Sequence, residues 1–183
     1  MHPPKRIAED ELIKQCKTGS LKYQELLYKQ FYSYAMGVSL RYSLNRDDAM
    51  EAVNDAFIKV FNAIKNFDSD KPFKAWLRTI LVNTAIDRRR KDLKFQLNVE
   101  LENVTLVSSA SAIENLDVQD ILKLMRELPL IQVTIFNLYE IDGYSHDEIG
   151  QLLGIPVSSS RVYLSRAKEK LRSALRTENQ KHG

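Results

Sequence analysis

Ser145-His146-Asp147-Glu148-Ile149-Gly150-Gln151-Leu152-Leu153-Gly154-Ile155-Pro156-Val157 contains a helix start, a helix stop and the start of a second helix within thirteen residues. Ser145 followed three residues later by Glu148 is the capping-box spacing: the hydroxyl takes an orphan amide and the carboxylate reaches back. The short helix it opens sets Ile149, Leu152 and Leu153 on one face. Gly154 tolerates the left-handed backbone that a tight turn requires. Gly150 lets a second helix approach closely, as a helix-turn-helix demands. That second helix, Ser158 to Arg172, carries Arg161, Arg166, Lys168, Lys170 and Arg172, with Leu164, Ala167 and Leu171 facing inward. Capped helix, glycine turn and basic helix in register point to duplex DNA. Ser160 stands where Val or Ile often packs, which predicts a looser fit there.

Outward from this stretch, apolar residues recur every three or four positions, and Pro and Gly fall almost entirely at boundaries. Helices are expected near 8–17, 20–43, 46–65, 72–94, 117–128, 130–141, 145–153 and 157–175. Residues 95–115 break the pattern: they hold no Lys, Arg, Pro or Gly. They read as an extended acidic linker, with short strand character at 97–107 as the other reading. The fold class is all-α, with one small helical domain at 1–94, the linker, and a second domain at 116–183 containing the helix-turn-helix.

The net charge of +3 is unevenly placed. Residues 1–70 are neutral, 71–95 carry +6, 96–155 carry −8 and 156–183 carry +5. Two basic blocks separated by an acidic stretch suggest two polyanion-binding surfaces. The single Cys16 excludes a disulfide framework and fits a reducing cytoplasm. His2, His146 and His182 are too few and too scattered for a histidine metal site or a Ser-His-Asp triad. No glycine cluster suggests a phosphate loop, and no apolar run suggests a signal peptide or membrane insertion. Neither catalytic residues, cofactor nor metal is expected.

In the first domain, Met50, Val53, Ala56, Phe57, Val60, Phe61 and Ile64 form the apolar stripe of the 46–65 helix. Asp47, Asp48, Glu51 and Asp55 lie opposite, with Asn54 at the margin, offering a docking surface to a basic partner. The next helix has a core face of Phe73, Leu77, Ile80 and Leu81. Along its edge run Trp76, Asn83, Asp87 and Arg90, an aromatic followed by hydrogen-bonding and cationic groups, which suits nucleic acid. The loop before it, Asp68-Ser69-Asp70-Lys71, is polar and placed to meet a base.

Asp48-Ala49-Met50-Glu51-Ala52-Val53-Asn54-Asp55-Ala56-Phe57-Ile58-Lys59-Val60-Phe61 resembles the signature of bacterial RNA polymerase sigma factors of the extracytoplasmic-function group. Phe73-Lys74-Ala75-Trp76-Leu77 with Asn83, Asp87 and Arg90 resembles that family's promoter-melting helix. Leu128-Pro129, Asp142-Gly143-Tyr144-Ser145-His146-Asp147-Glu148-Ile149 and Arg166-Ala167-Lys168 resemble its −35-reading domain. The resemblance spans about 20–175. Asn54 and Glu51 stand where Gln and Asp are usual, and Val133 where Arg is common. Ser160, Val162 and Tyr163 depart from the commonest Val-Lys-Ser-Arg run.

The resemblance implies a promoter-specificity subunit rather than an enzyme. Asp47, Asp48, Glu51, Asn54 and Asp55 would dock on the clamp helices of core RNA polymerase. Asp68, Ser69, Asp70, Lys71, Trp76, Asn83, Asp87 and Arg90 would hold the melted −10 strand. Ser158, Ser159, Arg161, Tyr163, Ser165, Arg166 and Lys168 would meet the −35 element of promoter DNA, and the second domain would touch the polymerase flap. The linker would thread the polymerase as a nucleic-acid mimic, and an anti-sigma factor is a further partner the resemblance allows. The alternative is a free-standing helix-turn-helix regulator, which would bind duplex DNA tightly without polymerase.

Overall fold

The computed structural model describes residues 8–101, 125 and 127–179, and the side chains of 8–95, 125 and 127–173. The described residues form helices and turns without a strand. The chain divides after Arg89 into two compact units.

The first unit is built from α1 (Glu9–Lys17), α2 (Leu21–Ser39), α3 (Arg46–Ala63) and the opening turns of α4 (Phe73–Leu101). Gly19, at φ +85°, turns the chain between α1 and α2. Asn45 starts α3 by accepting from the Asp48 amide at 2.8 Å, while Asp48 Oδ2 accepts from the Leu44 amide at 3.0 Å. That reciprocal pair satisfies two donors which the helix end would otherwise leave unpaired. A single 3-10 turn, Ile64–Asn66, ends the α3 segment. The core collects Leu12, Leu27, Phe57, Ile64, Phe73 and Leu77, each almost fully buried. Such side chains contribute about 1.5–3 kcal/mol each on burial. Two expected stripe members differ: Met50 is 41% exposed and Phe61 is half-buried, while Ala49 and Ala52 are buried in their place. The buried face of α3 thus runs through Ala49, Ala52, Val53, Ala56, Phe57 and Val60. Ile80, expected in the core, is likewise only half-buried.

Helix α4 continues through Leu101, beyond the expected end at 94. No Pro or Gly interrupts 95–101, and Gln96, Leu97 and Glu100 are good helix formers, so these residues are helical rather than extended or stranded. The remainder of the expected linker, and most of the expected 117–128 helix, lie outside the described residues.

In the second unit, α5 (Leu130–Phe136) runs into one π turn, Asn137–Ile141, then α6 (His146–Leu153) and α7 (Val157–Asn179) follow. The π turn is closed by the Asp142 amide donating to the Asn137 carbonyl at 2.9 Å. Ile131, Ile135, Leu138 and Ile149 are fully buried. From α7, Tyr163, Leu164, Ala167 and Leu171 complete this core.

Candidate nucleic-acid interface

The acidic row of α3 has an occupant from its own chain. Arg88 of α4 reaches Asp48 at 3.6 Å, Asp55 at 2.7 Å and Glu51 through a second guanidinium nitrogen. Positions 48, 51 and 55 fall three and four residues apart, so one helix face presents three carboxylates to a single fork of donors. Asp47 is exposed in the first turn, and Asn54 accepts from the Tyr28 hydroxyl at 2.8 Å. Asp48 therefore both caps α3 and holds Arg88. The five residues expected to dock a partner do lie on α3, but three of them carry an internal cation that the sequence reading assigned only to a basic block.

Along α4, Trp76 is half-buried against Phe67 and Phe73, with ring centroids 4.8 and 5.7 Å away. Its anchored ring stays partly accessible. Asn83 is half-buried, and Asp87 is exposed with Lys59 of α3 at 3.8 Å. Arg90 is exposed and begins the second unit. In the loop, Asp68, Ser69, Asp70 and Lys71 are all exposed. The Asp70 amide donates to Asp68 Oδ1 at 3.1 Å, a side-chain turn that bends the loop before Pro72. A cavity of about 430 Å³ lies beside it, lined by Glu9 and Asp10 of α1, by Ser69, Asp70 and Lys71, and by Phe67 and Phe73.

The helix-turn-helix has the expected geometry. Ser145 Oγ accepts from the Glu148 amide at 3.2 Å, while the Ser145 amide donates to Glu148 Oε2 at 2.8 Å. The Ser145 amide, and then the Ser145 hydroxyl donating to the same Oε2 at 2.8 Å, hold the Glu148 carboxyl below its ordinary value. Gly154 adopts φ +68°, and the Ile155 amide donates back to the Gly150 carbonyl at 3.0 Å. A Cβ on Gly150 would stand 2.9 Å from the Ile155 carbonyl oxygen, so only glycine fits without a backbone shift.

Two expectations about α7 are corrected. Tyr163 is 3% exposed and belongs to the core, so it is removed from the candidate DNA-facing set. Its position, three residues after Ser160 and four before Ala167, places it on the buried stripe. Ser160 is not loosely packed: it is fully buried and shares a 2.9 Å hydrogen bond with Nδ1 of His146. The imidazole stacks on Tyr139 at 4.5 Å, so a polar latch takes the place of an apolar contact. Burial first, then the Arg161 and Lys168 cations, push His146 below its ordinary value.

Ser158, Arg161 and Ser165 are exposed along one face of α7, with Ser159 and Arg166 half-buried beside it. Lys168 is tied to Glu140 at 2.5 Å and lies over the Tyr139 ring, so it braces the unit. Lys17, Arg88 and the His146–Ser160 pair were missed by sequence reasoning. A row of three carboxylates calls for a cation, and that signal could have found Arg88.

Among the described residues, no group of His, Cys, Asp or Glu side chains is arranged to hold a metal. No helix there is long and apolar enough to cross a membrane. Cys16 is buried, which raises its thiol to about 11 and leaves it unreactive.

Comparison with known proteins matches residues 27–94 to Sigma-70 region 2 and residues 118–171 to Sigma-70, region 4. The chain is 30% identical over 185 residues to the ECF RNA polymerase sigma factor SigW of Bacillus subtilis, covering 90% of this chain and 95% of that one. It is 27% identical over 177 residues to the ECF RNA polymerase sigma-E factor of Escherichia coli K12, covering 90% and 92%. Among solved structures, CnrH in complex with the cytosolic domain of CnrY has a similar fold, with a TM-score of 0.50, 22% identity and coverage of 93% and 99%. RpoE of Bartonella quintana in complex with the anti-sigma factor NepR gives a TM-score of 0.52, 23% identity and coverage of 83% and 96%.

Proposed function

The chain belongs to the sigma-70 family, in its extracytoplasmic-function group, and is a promoter-recognising sigma factor of RNA polymerase; from that premise we propose which of its surfaces does what. The α3 face with Asp47, Glu51, Asn54 and Asp55 docks on the clamp helices of core polymerase. The loop 68–71, with Trp76, Asn83, Asp87 and Arg90, holds the melted −10 strand. The exposed α7 face, Ser158, Arg161 and Ser165 with Ser159 and Arg166 beside it, enters the major groove at the −35 element. The second unit also touches the polymerase flap, and the acidic stretch at 95–115 threads the polymerase.

The observation that carries the −35 assignment is the Gly150–Ile155 approach. It sets α7 against α6 at a fixed angle while leaving Arg161 in solvent, as a groove-reading helix requires. An Arg there can pair with guanine O6 and N7 through two hydrogen bonds. The protein acts in the cytoplasm, without catalysis of its own and without a cofactor. An anti-sigma factor is a further partner, by extension from the RpoE complex with NepR named above. The deciding experiment is elution of purified protein with core polymerase, followed by run-off transcription from genomic fragments. Elution apart from core, with tight binding to duplex DNA alone, would favour a free-standing regulator instead.

A further inference from the structure

The loop that precedes α4 has little of its own to hold it. Its internal ties are the Asp68 turn, the Lys71 amide donating to the Asp68 carbonyl at 3.1 Å, and an exposed Lys71–Asp68 pair at 3.7 Å, a kind of contact that contributes about 0–1 kcal/mol. A further anchor comes from a helix some fifty residues earlier. Lys17 Nζ, at the end of α1, donates to the Phe67 carbonyl at 2.7 Å and to Ser69 Oγ at 2.9 Å. The same ammonium lies 5.8 Å from the centre of the Phe67 ring. Charge-assisted bonds of this length are stronger than neutral ones.

Both ends of this anchor are fixed. Leu12, Ile13 and Cys16 bury α1 in the core of the first unit. The Phe67 ring is clasped by Phe73 at 5.6 Å and by Trp76 at 4.8 Å. Lys17 thus sets where the backbone leaves Phe67 and where Ser69 stands, relative to the Trp76 ring and the adjoining cavity. A recognition site must be held to within about 0.5 Å to discriminate, and supporting contacts do that holding.

We infer that Lys17 is a positioning residue for −10 base selection: it touches no DNA, but tethers the reading loop to α1. This rests on the proposal that loop 68–71 reads the −10 strand. A second function of the same contact, simple stabilisation of the fold, would leave base preference alone.

The test uses the full chain with core polymerase and a promoter panel that varies one −10 base while the −35 element stays constant. The readout is the ratio of transcript from the best to the worst promoter. Lys17→Met keeps the stem and removes all three donors, and Lys17→Arg keeps donors in place. The ratio is expected to fall about tenfold in Lys17→Met, the loss of one charge-assisted bond's worth of discrimination. It should be largely retained in Lys17→Arg, and intermediate in Ser69→Ala, which keeps the bond to Phe67. Core elution and −35 duplex binding should match wild type. An unchanged ratio with a lower overall yield overturns the inference. Asp68→Ala with Asp70→Ala separates the two readings. If the loop variant shifts the ratio and Lys17→Met does not, only the role of Lys17 falls. If the loop variant leaves the ratio alone, base selection lies elsewhere and both readings fall.

Discussion

Arg88 Nη1 donates to Asp55 Oδ2 at 2.7 Å, joining the helix that carries the basic block to the helix that carries the acidic row. Because Glu51 and Asp48 share the same guanidinium, the face presents a partly neutralised cluster rather than three free carboxylates. A cationic partner that docks there meets an arginine already in place, and must share the carboxylates or displace it.

Neutralising the row is therefore a cleaner test than reversing it, since reversal would surround Arg88 with cations. Glu51→Gln with Asp55→Asn is expected to abolish elution with core polymerase. Their side chains are 63% and 48% exposed, so stability should fall by no more than about 1 kcal/mol per lost pair. Arg88→Gln should do the opposite at low salt and tighten docking by several-fold. One unit charge at about 4 Å in a water-like medium changes the interaction by roughly 1 kcal/mol. Affinity for core measured at two ionic strengths checks this; weaker docking of Arg88→Gln would show that the arginine organises the face rather than competing for it.

Gly150→Ala is expected to destabilise the second unit by about 1–3 kcal/mol, because the new methyl meets a backbone oxygen at 2.9 Å rather than a yielding side chain. Residual −35 binding by the folded fraction should also weaken, since α7 must tilt to make room. Thermal melting together with binding to a −35 duplex checks both, and an unshifted melt would mean the turn has slack.

The second unit should lose stability as the medium is acidified through about pH 6.5. His146 titrates below its ordinary 6.5 in the folded chain, chiefly through burial, with Arg161 and Lys168 adding to the effect and Asp147 opposing it. The unfolded chain therefore takes up this proton first. The stability is complete above about 6.5 and drains as pH falls toward the folded value. Glu148 titrates below this window. His146→Asn should flatten the pH dependence relative to wild type, as seen in melting curves at stepped pH. Parallel curves for the two proteins would remove His146 as the source.

Helix order, the cap at Ser145 and the turn at Gly154 were legible because each depends on residues close in sequence. Long-range partners were not. Arg88 belongs to a run of four basic residues, Arg88 to Lys91, and nothing local says which of them folds back onto α3. Lys17 lies about fifty positions from the loop it holds, at the end of a helix whose pattern explains it as a solvated basic residue. The end of α4 was misplaced because acidic composition says nothing against helix: it is Pro and Gly that stop one, and 95–101 has neither. His146 and Ser160 were each read as single residues, whereas their bond crosses from one helix of the pair to the other.

Tyr163 and Arg161 give the sharpest contrast within α7, two residues apart on opposite faces. Arg161 is exposed and beside the groove-facing serines, so Arg161→Ala should leave the melting curve unchanged while costing about 1–3 kcal/mol in −35 binding. If its guanidinium pairs with a guanine, that loss is confined to one base pair and preference there relaxes; if it meets only phosphate, every promoter weakens alike. Tyr163 is 3% exposed, so Tyr163→Ala opens a cavity in the core of the second unit and should cost about 3–5 kcal/mol of stability, the range for emptying a buried aromatic site. Its effect on promoters should then track the unfolded fraction, uniform across −35 sequences. Measuring melting and −35 preference on the same two variants settles the assignment. A change of base preference in Tyr163→Ala at a temperature where it is folded would return that residue to the DNA-reading set.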